Sequence, residues 1–186
     1  MNAKDLSISE YTSHIVFITG GTKSGKSEFA EHLAKKVKKL SYVALSENNL
    51  DDKDWQDKIN LHRKRRPKDW KLIETTDLLN TLKKEEGPLL IDSIGGFVMK
   101  SIDKEQNEWS TKMNSLISLL RKRKSITIIV GEQVGWSLVS EYKIGNTYIE
   151  RIGELQKRIT KISKDNWLAI NGRAIKIDEI SIEIPT

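Results

Sequence analysis

Eight consecutive residues, Gly20-Gly21-Thr22-Lys23-Ser24-Gly25-Lys26-Ser27, fit the pattern GxxxxGK[ST] without a mismatch. The chemistry such a string can do is to hold phosphate. Its glycines let backbone N–H groups turn inward and approach phosphate oxygens in conformations a Cβ would obstruct. A helix opening at Lys26 would aim its unpaired N–H groups and the positive end of its dipole at the same anion. Lys26 would reach the β- and γ-phosphates of ATP or GTP, and the Ser27 hydroxyl would ligate Mg²⁺. A metal held this way also calls for an acid at the end of a neighbouring strand. Asp92, closing the apolar run LLID, is the candidate, and capping the next helix is its other possible duty.

A second cluster is Leu61-His62-Arg63-Lys64-Arg65-Arg66-Pro67. Three readings stay open from the residues alone. It can be a solvated basic helix face with an incidental histidine. It can be a nucleophile, because neighbouring cations favour the neutral imidazole while Arg63 and Arg66 hold a triphosphate beside it. It can also, with the basic Arg121–Lys124, face nucleic acid, although no aromatic interleaving or known nucleic-acid module accompanies it.

The elements that must position these residues alternate in type. His14–Thr19 is an apolar strand leading into the glycines, and Lys26–Leu40 carries Phe29, Leu33, Val37 and Leu40 at helical spacing. Tyr42–Leu45, Leu72–Ile73, Leu89–Asp92 and Ser125–Val130 read as strands. Asp51–Arg65, Thr76–Lys84, Gln106–Arg123 and Tyr148–Ile162 read as helices. Trp167–Ile170 and Ala174–Ile177 flank Asn171-Gly172, a strong hairpin signal. The alternation predicts an α/β fold of the P-loop NTPase (RecA-like) type. It is a three-layer sandwich whose mostly parallel sheet gains an antiparallel edge strand at the C-terminus. Residues 1–13 are expected to be a flexible extension, and residues 14–186 a single nucleotide-binding catalytic domain.

Composition narrows the classes. Without cysteine there are no disulfides or thiolate-bound metals, which fits a reducing compartment and a cytoplasmic location. Thirty-two basic residues against 26 acidic ones give a net charge of +6, too balanced for a global polycation. No run is long and apolar enough for a membrane-spanning helix, and the N-terminus lacks the basic start and apolar core of a secretory signal.

The combination of ITGGTKSGKSEFAE, YVAL, and Ile59, His62, Arg66, Pro67, Trp70 and Glu74 at their spacing resembles the bifunctional adenosylcobinamide kinase/adenosylcobinamide-phosphate guanylyltransferase family of cobalamin biosynthesis. The resemblance runs through LLIDSI to the final strand pair. It implies two reactions on one nucleotide site. The first is phosphorylation of the aminopropanol hydroxyl of adenosylcobinamide by ATP or GTP. The second is attack of His62 on the α-phosphorus of GTP, release of pyrophosphate, and transfer of GMP to the cobinamide phosphate. It also implies Glu74 among the nucleotide-binding residues, a corrinoid partner rather than nucleic acid, and a homo-oligomer, a trimer by resemblance, with active sites near subunit contacts. The chain departs from the family pattern at three places: Gly95 stands for a Thr or Ser, Gln133 for a Glu (with an acid displaced to Glu132), and Ser140 for a Pro. Two other readings remain: a different small-molecule P-loop kinase with a structural His62, and a nucleotide-gated binding protein with basic patches.

Overall fold

The computed structural model describes residues 14–45, 67, 69–136 and 140–185. His62, Arg63 and Arg66, the helix expected over 51–65 and the N-terminal extension lie outside them. Numbered among the described residues, the strands are β1 (Ile15–Gly20), β2 (Ser41–Ala44), β3 (Lys71–Glu74), β4 (Leu89–Asp92), β5 (Thr127–Glu132), β6 (Asp165–Ile170) and β7 (Arg173–Lys176). The helices are α1 (Lys26–Ala34), α2 (Leu78–Lys84), α3 (Gly95–Met99), α4 (Gln106–Lys122) and α5 (Lys143–Thr160).

All seven strands join one sheet in the order β3-β2-β4-β5-β1-β6-β7. Every pairing is parallel except β6 with β7. The antiparallel edge strand follows from the Asn171-Gly172 turn, whose φ angles of 49° and 73° are the left-handed pair that a two-residue hairpin needs.

Alternation along the strands builds two cores. Ile15 and Phe17 of β1, Leu89 and Ile91 of β4 and Ile129 of β5 pack with Leu78, Phe97, Trp109, Leu116 and Leu155. Val16, Ile18, Leu90, Ile128 and Val130 face the other way, onto Ala30 and Leu33 of α1, with Trp70 and Trp167. Strands apolar on both faces are what a parallel sheet covered by helices demands.

Most element ends differ from the sequence expectation by one or two residues, and three differences are larger. Helix α1 stops at Ala34, not Leu40: Lys35 and Val37 bond back to His32 and Ala34 in a tighter turn, and Lys39 takes a φ of 56°. Leu40 is still fully buried, but as the residue entering β2. Helix α5 begins five residues before the expected Tyr148 because its first turn carries no apolar stripe to mark it. Helix α3 was not expected, since it opens on Gly95-Gly96, residues that disfavour helix.

Candidate functional site

The phosphate loop leaves β1, an interior strand of the sheet between β5 and β6, and enters α1. Gly20 pairs with Glu132 of β5 on one side and Ala169 of β6 on the other. There is no room for a side chain: a Cβ on Gly20 would sit 2.3 Å from the Ala169 carbonyl oxygen. Gly25 has a φ of 93°, a conformation glycine adopts without strain, and its carbonyl accepts from Phe29 N at 2.9 Å to start the helix. The β6–β7 turn braces the loop from outside, with Gly172 N donating to the Ser24 carbonyl at 3.0 Å. Lys26 Nζ donates to the Gly21 carbonyl at 3.0 Å, which holds the ammonium over the loop. Ser24 Oγ is buried without a protein partner among the described residues. Buried hydroxyls in native proteins nearly always have a partner, and a phosphate oxygen would supply one here.

Ser27 Oγ donates to Asp92 Oδ1 at 3.2 Å, so the loop hydroxyl and the acid closing β4 meet across 65 residues of sequence. The other carboxylate oxygen accepts from the Tyr42 hydroxyl at 2.7 Å. Trp70 is buried and stacks on Tyr42, with ring centroids 6.4 Å apart and planes at 21°. The tryptophan in the sequence string therefore supports the site indirectly, by fixing the tyrosine that orients Asp92. Tyr42 carries no sequence signal of this duty. Glu74 ends β3 on the same row of strand ends and is exposed, two strands from Asp92. At the usual strand spacing that is about 10 Å.

Two of the residues at which the chain departs from the family pattern meet in space. The Gly95 N–H donates to Glu132 Oε2 at 3.2 Å, and the Ser93 hydroxyl donates to Oε1. Burial, followed by the nearby Asp92 charge, lifts the Glu132 carboxyl from the ordinary 4.5 to about 7. Burial, followed by Glu132 itself, pushes the Tyr148 phenol up to about 12. Gln133, the third such residue, turns away from Glu132 and lies 3.5 Å from Gln156, which also accepts from Thr19 Oγ1 at 2.6 Å and donates to the Glu132 carbonyl at 2.9 Å. Ser140 instead organises the start of α5, accepting from Tyr142 N at 3.2 Å.

The raised carboxyl has a consequence for stability. The folded protein binds a proton at Glu132 that the unfolded chain has released between about pH 4.5 and 7. The stabilising contribution is therefore full below about 4.5 and lost as pH rises through about 7. At pH 8 the ionised, half-buried carboxylate costs the free protein on the order of 3 kcal/mol at most. Glu132→Gln should accordingly gain stability over the parent at pH 8 and lose most of that advantage at pH 4.5. Urea unfolding of both proteins at the two pH values checks this, and a pH-independent gap would contradict it.

Of the basic run Arg121–Lys124, three side chains are exposed and one is not. Arg123 is turned inward, its guanidinium donating to the carbonyls of Glu85 and Gly87 and to Thr127 Oγ1.

Strand, glycine loop, helix, and an acid on the neighbouring strand end define a P-loop protein of the nucleotide-binding class. The sequence pattern of the cobinamide kinase / cobinamide phosphate guanyltransferase family matches residues 16–177, and the chain belongs to that family of bifunctional enzymes. It is 25% identical to the bifunctional adenosylcobalamin biosynthesis protein CobU of Escherichia coli over 181 residues, covering 88% of this chain and 99% of the relative. It is 27% identical to the corresponding CobP protein of Pseudomonas aeruginosa over 150 residues, covering 77% and 86%. Among solved structures it is similar in fold to an ATPase of the type III secretion system of pathogenic bacteria, at 14% identity and a TM-score of 0.54. That match takes in 83% of this chain but only half of the ATPase. A protein of Pyrococcus horikoshii OT3 matches over 100% of this chain and 98% of its own, with 8% identity and a TM-score of 0.57. These last two likenesses speak to fold alone.

Proposed function

We propose that the protein phosphorylates the side-chain hydroxyl of adenosylcobinamide with ATP or GTP and then transfers GMP from GTP to the phosphorylated product, giving adenosylcobinamide-GDP in cobalamin biosynthesis. The observation that carries this reading is the family match over residues 16–177, which includes both the phosphate loop and the His62 segment.

In the kinase step, loop N–H groups and Lys26 would neutralise the triphosphate while its γ-phosphoryl group passes to the acceptor. In the transferase step, the neutral imidazole of His62 would bond to the α-phosphorus as the α–β bridge breaks and pyrophosphate leaves. An oxygen of the cobinamide phosphate would then displace the imidazole and restore it. Splitting the displacement in two replaces one difficult step by two easier in-line ones. Arg63, Arg66 and Glu74 would hold the nucleotide during these steps.

Ser27 and Asp92 suit Mg²⁺. Their oxygens already lie 3.2 Å apart, and the described residues include no cluster of three or more metal-ligating side chains. Mg²⁺ favours one or two protein oxygens plus phosphate and water over an all-protein cage. When bound it would neutralise charge on the transferring phosphates. Residues 14–186 would work as one catalytic domain, in the cytoplasm and as an oligomer. No helix among the described residues is long and apolar enough to cross a membrane.

The test is sequential. The purified protein is given adenosylcobinamide with MgATP, and then GTP, and the corrinoid is followed by mass. Gain of one phosphoryl group and then of GMP is expected. Phosphorylation alone would leave a kinase, and an unchanged corrinoid would refute the substrate assignment.

A further inference from the structure

Glu132 stands at the end of β5, directly beside Gly20, the first residue of the phosphate loop. Its carboxylate is clamped from the turn after Asp92, by the Ser93 hydroxyl on one oxygen and the Gly95 N–H on the other. The absence of a side chain at position 95 is what admits the clamp. A Cβ there would lie 2.8 Å from each Glu132 carboxylate oxygen and 2.3 Å from the Tyr148 hydroxyl. The main chain is pinned as well, with Gln156 Nε2 donating to the Glu132 carbonyl at 2.9 Å.

So much fixing would be expected of a structural ion pair, yet among the described residues Glu132 forms none. The groups whose charges it feels are Asp92 on β4 and Lys26 on α1, both at the phosphate site, and it in turn acts on Tyr148 of α5. A carboxylate held rigid at the phosphate site, without a cation of its own, has the placement expected of a group that meets a reacting hydroxyl.

We propose that Glu132 is a catalytic residue of the kinase half, accepting the proton of the acceptor hydroxyl; this rests on the kinase reading above. As the hydroxyl oxygen bonds to the γ-phosphorus, its proton passes to a Glu132 oxygen. The bond from γ-phosphorus to the β–γ bridging oxygen breaks, and the nucleoside diphosphate leaves with that electron pair. Gly95, Ser93 and Gln156 are positioning residues acting through Glu132.

The test uses the full-length protein, adenosylcobinamide and MgATP, with Glu132→Gln and Glu132→Asp beside the parent. Glutamine keeps the size and an acceptor oxygen for the Gly95 N–H but cannot take the proton. The expected result for Glu132→Gln is a kcat lower by roughly 10²–10³-fold. KM for the corrinoid and the affinity for MgATP should move by less than about threefold, and Glu132→Asp should recover at least about tenfold of the lost rate. A Gln variant with near-parental kcat would overturn the proposal. So would parallel loss of kcat, MgATP binding and thermal stability, or an Asp variant no better than Gln. If the parent itself does not phosphorylate adenosylcobinamide, the kinase reading fails and this proposal with it. A working parent with an unaffected Gln variant removes Glu132 alone.

Discussion

Replacing Lys26 by alanine should lower both phosphorylation of the corrinoid and guanylylation of the protein, each by about 10²–10³-fold. The effect is electrostatic. The Lys26 ammonium is already anchored above the loop by the Gly21 carbonyl, so no reorganisation is needed when charge develops on the phosphates. A fixed cation in a partly buried site is worth far more than a mobile one in water. The joint loss is the informative part, because one phosphate loop would serve both transfers. Side-by-side rate measurements with ATP plus corrinoid and with GTP alone would check it. Loss of phosphorylation with intact guanylylation would mean that the two reactions do not share Lys26. Folding is not expected to suffer, since among the described residues the side chain makes one hydrogen bond, to the Gly21 carbonyl.

Gly20→Ala should be the most damaging single-methyl change in the loop. Its new Cβ would stand 2.3 Å from the Ala169 carbonyl oxygen and 2.7 Å from Ser24 Oγ. The first of these is backbone in a paired strand and cannot swing aside. Either β6 must shift off β1 or the loop must open, at a cost of about 3 kcal/mol. For a protein of this size that is a fall in Tm of roughly 6–12 °C. Gly21→Ala is the control, since nothing lies within 4 Å of its Cβ position, and its Tm should stay within a few degrees. Thermal unfolding of the two variants settles the comparison, and equal Tm values would contradict the steric account.

The sheet and the phosphate loop were legible in the sequence because their signals are local. Apolar runs such as HIVFIT and SITIIV, a contiguous glycine-lysine string and an Asn-Gly turn each announce themselves within a few residues. Asp92 was legible for the same reason, as an acid closing an apolar run. Tyr42, Ser93 and Tyr148 were not. Tyr42 reaches Asp92 across 50 residues and Ser93 reaches Glu132 across 39, and each looks in sequence like any polar residue near a strand end. The juxtaposition of Gly95 with Glu132 is of this kind as well. Read separately they are two departures from the family pattern, whereas in the fold the missing side chain at one makes room for the carboxylate at the other. The ends of α1 and α5 were misplaced where apolar periodicity and helix part company. Val37 continues the stripe beyond the helix, and Lys143–Thr147 begin a helix without one.

Labelling is the most direct test of whether one P-loop site serves both a kinase and a guanylyl-enzyme formed on His62. The protein and a His62→Asn variant are incubated with Mg²⁺ and GTP labelled at the α-phosphate, denatured, and assayed for acid-labile, alkali-stable label. Label on the parent and none on the variant is expected, with GTP bound by both. Absence of label from the parent despite GTP binding, or equal label on the variant, would contradict it and remove His62 from the chemistry.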